Sequence, residues 1–563
     1  MNWPKHILAQ YVIQLCKAKA VKHIVISPGS RNAPFTIGFT NQPFFKCYSI
    51  VDERSAAFFA LGIAQQTAES VAVICTSGSA LLNYYPAVAE AFYTGIPLIV
   101  ISADRPEHLI NIGDGQTIIQ PHAFGKHILF EANLETPTQK LFSSLQSSKI
   151  KAKNLILKAI DTAQQKMGPV HINVPFDEPL YDTVTNPELL NIQPILKKSS
   201  QSLNLSHKTI RTWNNAQKKM VLVGVNAPNI INSEYIEQLA QDPSVIVLTE
   251  TTSNLHHPNF FPFIDQLIAP LDKEDFVNLQ PELLLTFGGL IISKKIKAFL
   301  REFKPKYHWH VDEFRANDTY FALNQHFACN PNLFFDAIFR DSHPKSSSYF
   351  KTWNTVKLSR LDKHKSYISS MPFCDFKAFE LISDAIPNHY MVQSSNSSAI
   401  RYLQLFEFHP SIKLYCNRGT SGIDGSTSTA VGAAVVSKLP TLLITGDLSF
   451  FYDINAFWNA YVASNFRVIL INNEGGGIFR ILPGNDNSEL FETFFETKHE
   501  RTAKDIAKTY DFDYFESHSS ENLRQALKTF FATGDHPKLL EIFTPSNLND
   551  KVLLSYFDAL KSN

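Results

Sequence analysis

Short runs of β-branched and aliphatic residues alternate with helical-period segments in three successive blocks of this chain, and that alternation admits few folds. The first block carries "HIVIS" from His23, "VAVIC" from Val71, "PLIVISAD" from Pro97 and "VHINVP" from Val170, with segments such as "ERSAAFFALGIAQQTAE" between them. Strands so evenly apolar need cover on both faces, which crossover helices supply, so each block predicts βαβ units around a parallel sheet. The second block repeats the pattern in "KMVLV", "SVIVL", "ELLLTF" and "KYHWHV", and the third in "YMVQS", "IKLYC", "PTLLIT", "FRVILI" and "KLLEIF".

The expectation is therefore an α/β protein of three open parallel-sheet domains. Polar, Ser-rich stretches at 196–208 and from 342 separate the blocks, placing the domains at 1–181, 198–341 and 350–563. Each falls in the ordinary range of domain size. The middle block has no G-x-G-x-x-G after its first strand, which argues against a dinucleotide site there.

Composition excludes several function classes. The chain carries 52 basic and 52 acidic residues, so no global field favours nucleic acid or an anionic membrane as partner. Its six cysteines are scattered, with no C-x-x-C and no metal-ligand spacing, as suits reduced thiols and a cytoplasmic location. Gln10, Gln14 and Lys17 interrupt the N-terminal apolar stretch, and no run approaches the roughly 18 residues of a membrane span.

The chemistry concentrates in the third block. "PTLLIT" leads into Gly446-Asp447, with Leu448 and Ser449 following, and Ser449 is expected to cap the next helix. "FRVILI" leads into Asn472 and Asn473, the latter 26 residues after the aspartate, an interval that one crossover helix accounts for. In open parallel sheets ligands sit at the carboxyl ends of strands, so two neighbouring strand ends present a carboxylate, an amide oxygen and the glycine run Gly475 to Gly477. These are hard oxygen donors suited to Mg²⁺ or Ca²⁺, and Mg²⁺ is usually shared with the phosphates of a ligand. The pattern reads as a metal-bridged diphosphate anchor, against the simpler reading of two ordinary strand-to-loop turns.

Gly-Asp followed by Asn-Asn at this distance resembles the thiamine-diphosphate signature. The resemblance implies that Asp447, Asn473 and the carbonyl of Gly475 hold Mg²⁺, or Mn²⁺ in its place, against thiamine diphosphate. It further implies a glutamate from the first domain on the aminopyrimidine ring. Glu53 in "VDERSAAFFALG" fits that place, at the head of an apolar helix where burial raises a carboxyl pKa. Ile423, in "SGIDG", resembles the aliphatic residue that props the cofactor in its bent form, and Ile478 and Phe479 would wall the thiazolium. Because Glu53 and Asp447 lie on different domains, the resemblance also implies a cofactor bridging two chains, hence a homodimer or homotetramer.

A longer set of motifs, "SPGSRNAPF", "VDERSAAFFALG", "SADRP", "NRGTSGIDG", "GDLSFFYDIN" and "NNEGGGIF", spans the whole chain. Together they resemble the 2-succinyl-5-enolpyruvyl-6-hydroxy-3-cyclohexene-1-carboxylate synthase family of menaquinone biosynthesis. The reaction implied decarboxylates 2-oxoglutarate and adds the succinyl unit to isochorismate. The two substrates carry four carboxylates between them, and Arg31, Arg105, Arg401 and Arg418 are suited to clamp such groups bidentately. The same matching puts Ser30 beside isochorismate, Gln116 near the reacting atoms as a catalytic residue, Ser397 with Arg401 toward a carboxylate, and Lys294 reaching in from the middle domain. Gly115 stands where the family usually has Asn, and Asn32 where Ser is frequent. A pyruvate-specific carboligase and a silent diphosphate-binding relative are the competing readings.

Overall fold

The computed structural model describes residues 2–136, 142–191, 202–481 and 488–561. The stretch 196–208 lies outside the described residues up to 201, and its end is already ordered, with Ser206 accepting from the Thr209 N–H to cap the helix His207–Asn215. Three parallel sheets form, one per block. The first has the order Lys46–Ser49, His23–Ile26, Val71–Cys75, Leu98–Asp104, Val170–Pro175, Phe130–Asn133. The second runs Val245–Leu248, Lys219–Val223, Leu283–Phe287, Tyr307–Val311, Leu323–Phe327. The third runs Lys413–Cys416, Met391–Ser394, Thr441–Gly446, Phe466–Asn472, Lys538–Phe543, Asp513–Ser517.

Helices cover both faces of each sheet, as uniformly buried strands require. The first and third domains share one hydrophobic core, which runs from Val71, Val73 and Phe59 to Ala430, Leu443 and Val468. Their contact centres on the helices Glu53–Thr67 and Ser426–Val436. These meet at backbone distance: a Cβ on Gly62 would lie 2.1 Å from the Thr429 carbonyl, and one on Gly432 would lie 2.0 Å from that of Phe59. The middle domain is tied in by the helix Tyr349–Ser370, which packs on Val245–Leu248 and on the C-terminal helix Ser546–Lys561. All six cysteines are free. Among the described residues no helix is long and apolar enough to cross a membrane.

Candidate active site

Strands Thr441–Gly446 and Phe466–Asn472 are parallel neighbours, with Gly446 opposite Ile471, so the Gly-Asp and Asn-Asn motifs end at one level of the sheet. Asp447 is almost fully buried; its Oδ1 accepts the Leu448 N–H at 2.6 Å and its Oδ2 accepts the Gly475 N–H at 2.9 Å. Gly475 has φ +146°, and a Cβ there would lie 2.5 Å from the Glu496 carbonyl, so only glycine brings this backbone up to the aspartate. Asn473 donates its Nδ2 to Asp375 Oδ2 at 2.9 Å, which leaves the amide oxygen as its acceptor for a cation. His499 stands on the other side, Nε2 at 3.5 Å from Asp447 Oδ2, with a pKa raised by that carboxylate.

A cavity of about 140 Å³ opens here. Ser397, Ile423, Gly446, Asp447, Leu448, Ser449, Asn473, Gly475, Ile478 and Phe479 all line it, so the sequence reading gathered residues that do converge. It missed Asp375, Ser395, Asn396 and Ser398, which line the same space. Asp375 opens the helix Asp375–Ala385 far upstream of the motif, and no local pattern marks it. Burial pushes its carboxyl up to about 6, opposed by hydrogen bonds from Thr544 and Asn473, and the Asp447 charge adds to the rise.

A buried carboxylate, an amide oxygen and a backbone carbonyl, gathered at a glycine-lined opening, make a hard-oxygen set that suits Mg²⁺ and an approaching diphosphate. The residues present therefore fit a metal-bound diphosphate cofactor. A larger cavity, about 350 Å³, lies between the C-terminal end of the helix Tyr85–Thr94 and the carboxyl ends of the middle sheet. It includes Arg418 but none of the metal-motif residues.

Ser449 departs from its expected role. It lies inside the helix Asp447–Tyr452, whose cap position is Gly446, and its hydroxyl donates to the Ile423 carbonyl at 2.6 Å. That bond ties the Ile423 loop to the metal motif, a tertiary demand that outweighs local capping.

Glu53 heads the helix Glu53–Thr67, where Asp52 caps by accepting from the N–H groups of Arg54 and Ser55. Burial raises the Glu53 pKa. Glu53 does not line the 140 Å³ cavity of its own chain.

The four arginines fall into two pairs. In the first domain Arg31 donates to the Phe176 carbonyl at 3.0 Å and pairs with Glu178, while Arg105 holds the Gly115 carbonyl at 2.9 Å and Asp114 at 3.0 Å. Their charges act on each other. Arg401 and Arg418 are coupled in the same way at the seam between the third and middle domains. Arg418 donates to Asn396 Oδ1 at 2.6 Å, and Arg401 faces Asp265 and Glu250. Glu250 is fully buried and accepts the Ile292 and Ser293 N–H groups; burial pushes it up to about 7. Ser30 and Gln116 are exposed, the latter with φ +56°. Lys294 is exposed at the start of its helix, and Lys297, one turn on, is the lysine that lines the larger cavity beside Arg418.

Three family models match the chain: the N-terminal thiamine-pyrophosphate-binding domain over 7–128, the middle domain of thiamine pyrophosphate enzymes over 189–374, and the C-terminal thiamine-pyrophosphate-binding domain over 396–542. These matches and the cavity above define a thiamine pyrophosphate enzyme. Proteins named 2-succinyl-5-enolpyruvyl-6-hydroxy-3-cyclohexene-1-carboxylate synthase from Flavobacterium johnsoniae and Christiangramia forsetii are each 52% identical to it, over the whole of both chains. A protein of that name from Porphyromonas gingivalis is 38% identical over 97% of this chain and 96% of its own. The chain belongs to this synthase family.

Proposed function

We propose that the protein decarboxylates 2-oxoglutarate and adds the succinyl unit in a 1,4-addition to isochorismate, releasing CO₂ and forming 2-succinyl-5-enolpyruvyl-6-hydroxy-3-cyclohexene-1-carboxylate for menaquinone biosynthesis. The observation that carries this reading is full-length likeness to synthases of that name, in a chain whose metal motif opens on a cavity of fitting donors. Bound thiamine diphosphate supplies the decarboxylation and carboligation chemistry. Asp447, Asn473 and the Gly475 carbonyl hold Mg²⁺ or Mn²⁺, and Gly446, Leu448 and Ser449 border the diphosphate. Ile423, Ile478 and Phe479 exclude water beside them.

Glu53 holds a proton for the aminopyrimidine, a task its raised pKa suits. Since it lies outside its own chain's cavity, the protein works as a homodimer or higher homo-oligomer in which a second copy completes the site. Gln116 assists at the reacting atoms. Ser30, Arg31, Arg105, Ser397, Arg401, Arg418 and Lys294 bind substrate carboxylates and hydroxyls, with Phe479 as an apolar wall. The working division is 1–181 for the pyrimidine, 198–341 for the middle domain and 350–563 for the diphosphate and metal, in a cytoplasmic enzyme.

The test follows isochorismate absorbance with purified protein, thiamine diphosphate and Mg²⁺, started with 2-oxoglutarate or, in parallel, pyruvate. Loss with 2-oxoglutarate alone, abolished without cofactor, is the expected result. Loss with pyruvate, or with neither donor, overturns the reading.

A further inference from the structure

Under the first sheet lies a buried chain of polar side chains that the proposed chemistry does not use. Its core looks like a hydrolytic triad: Ser102 Oγ is 2.7 Å from His171 Nε2, and His171 Nδ1 is 3.0 Å from Glu131 Oε1. Ser102 and His171 are both 0% exposed, so no substrate reaches the hydroxyl. The role has to be internal, and the direction of the hydrogen bonds shows what it is.

Backbone groups fix the starting point. The Gly78 N–H donates to Gln120 Oε1 at 3.0 Å, so that atom is the oxygen, and Gln120 Nε2 then donates to the Ala103 carbonyl at 3.3 Å and to Asn173 Oδ1 at 2.7 Å. Asn173 Nδ2 donates to Asp104 Oδ2 at 2.8 Å, which confirms Oδ1 as the acceptor. Ser102 lies 2.7 Å from that same Oδ1 and must spend its one proton there. The His171–Ser102 bond therefore takes its proton from His171 Nε2. On the other side of the ring Nδ1 meets Glu131, whose carboxylate is anchored by the His122 N–H and Asn133. Ser102 and Gln120 thus converge as donors on Asn173 Oδ1, and losing the donor from either arm leaves the network incomplete.

The chain ends on the loop that carries Gln116. Gly78, with φ +89°, is so close to it that a Cβ would lie 3.1 Å from the Gln116 carbonyl oxygen. Gln116 itself is held in the left-handed region. From the opposite side Arg105 grips Gly115 and Asp114, and the Arg105 N–H is fixed by Asp104 Oδ1 at 2.8 Å.

We propose that Gln120, which joins the Glu131–His171–Ser102–Asn173 network by donating to Asn173 Oδ1, is a positioning residue that holds the Gly78 turn against Gln116 and so sets the 114–120 loop. The catalytic consequence rests on the reading that Gln116 faces the reacting atoms.

The test uses Gln120→Glu in the full-length protein with thiamine diphosphate and Mg²⁺. The variant is isosteric, but when ionised it sets an oxygen against the Ala103 carbonyl and Asn173 Oδ1, where a donor is required. When protonated it regains the donor. The titratable and charged groups around it are Asp104 and Arg105 on the adjoining strand end and Glu131, His171 and His122 at the far end of the network; burial and Asp104 favour its protonation. At pH 8 the variant should lose at least tenfold in kcat with the KM for 2-oxoglutarate little changed, and should recover severalfold relative to wild type by pH 6. Ser102→Ala, which removes only an oxygen, should lower kcat at both pH values without recovery.

Hydrogen exchange without substrate separates this inference from the functional reading. In Gln120→Glu at pH 8 the Gly78 turn and residues 113–120 should exchange at least tenfold faster, while residues 446–449 are unchanged. If wild type shows no isochorismate turnover but exchange responds so, the functional reading fails and the positioning role stands. Exchange at the wild-type rate, or a variant pH profile parallel to wild type, overturns the proposal. If Gln120→Glu does not fold, unchanged exchange in Ser102→Ala overturns it equally.

Discussion

Glu90 and Thr420 sit on different domains, yet one carboxylate oxygen of Glu90 accepts both the backbone N–H of Thr420 at 2.6 Å and its hydroxyl at 2.8 Å. The other oxygen takes the Gly419 N–H at 2.7 Å. Glu90 is 1% exposed, so these bonds fix the turn that follows Arg418. Charge-assisted bonds of this kind are the strong ones.

Glu90→Ala leaves three donors of that turn unpaired and frees Arg418 to wander from the seam. Losing about 1.4 kcal/mol of substrate binding corresponds to a tenfold rise in KM. We expect a rise of that order for the substrate whose carboxylate is proposed to meet Arg418, with affinity for thiamine diphosphate nearly unchanged. Steady-state kinetics and cofactor titration check both, and a change confined to cofactor binding would argue against Arg418 as a substrate group.

The Asp375–Asn473 pair bears on the metal. Asp375 is held by Thr544, and its own N–H donates to Asn549 at 2.8 Å, so it is a fixed acceptor that turns the Asn473 amide. Removing a partner that orients a metal ligand typically costs roughly 10–100-fold in metal affinity. Asp375→Ala should weaken Mn²⁺ binding, read by electron paramagnetic resonance, within that range. Binding as tight as in wild type would show that Asn473 is oriented without it.

Much of this was legible in the sequence, and what was missed has a common cause. Every interior strand of the three sheets announces itself as an apolar run, because both faces are covered. The strands overlooked are Lys46–Ser49, Phe130–Asn133, Leu323–Phe327 and Asp513–Ser517, and each is the edge of its sheet. With one flank open to solvent they carry polar residues such as Asn324, Gln325 and His326, which are exposed, and the apolar signal vanishes. The site divides in the same way. Asp447, Asn473 and Gly475 stand at strand ends in a readable motif, whereas Asp375, Glu250 and Glu90 reach their partners only through tertiary packing.

Helix contact between the first and third domains leaves no room for a side chain at Gly62. A methyl group 2.1 Å from the Thr429 carbonyl has to push two backbones apart, and no rotamer relieves it. Overpacking of this kind costs typically about 1–3 kcal/mol, occasionally more. Gly62→Ala should therefore lower the apparent Tm by several degrees and weaken cofactor binding in parallel, because Glu53 heads one of the two helices that separate and the loop carrying Ile423 leads into the other. Calorimetry with and without thiamine diphosphate checks it; an unchanged Tm would mean that the helices can slide.

Asp453 gives a pH-dependent prediction. It is fully buried, accepts the Ser428 N–H at 2.7 Å and pairs with the Ser428 hydroxyl at 2.8 Å, and burial pushes its carboxyl up to about 7. In the unfolded chain an aspartate titrates near ~3.9. Between those values the folded state keeps a proton that the unfolded state has released, so stability falls as pH rises. The contribution is complete below the unfolded value, is lost on passing through about 7, and is flat above. Asp453→Asn removes this titration while keeping an acceptor for the Ser428 N–H. Measured by thermal unfolding from pH 5 to 8, the Tm of wild type minus that of the variant should decrease with pH. A difference that stays constant would show that Asp453 remains ionised in the folded protein, held there by the Arg54 charge that lowers its pKa.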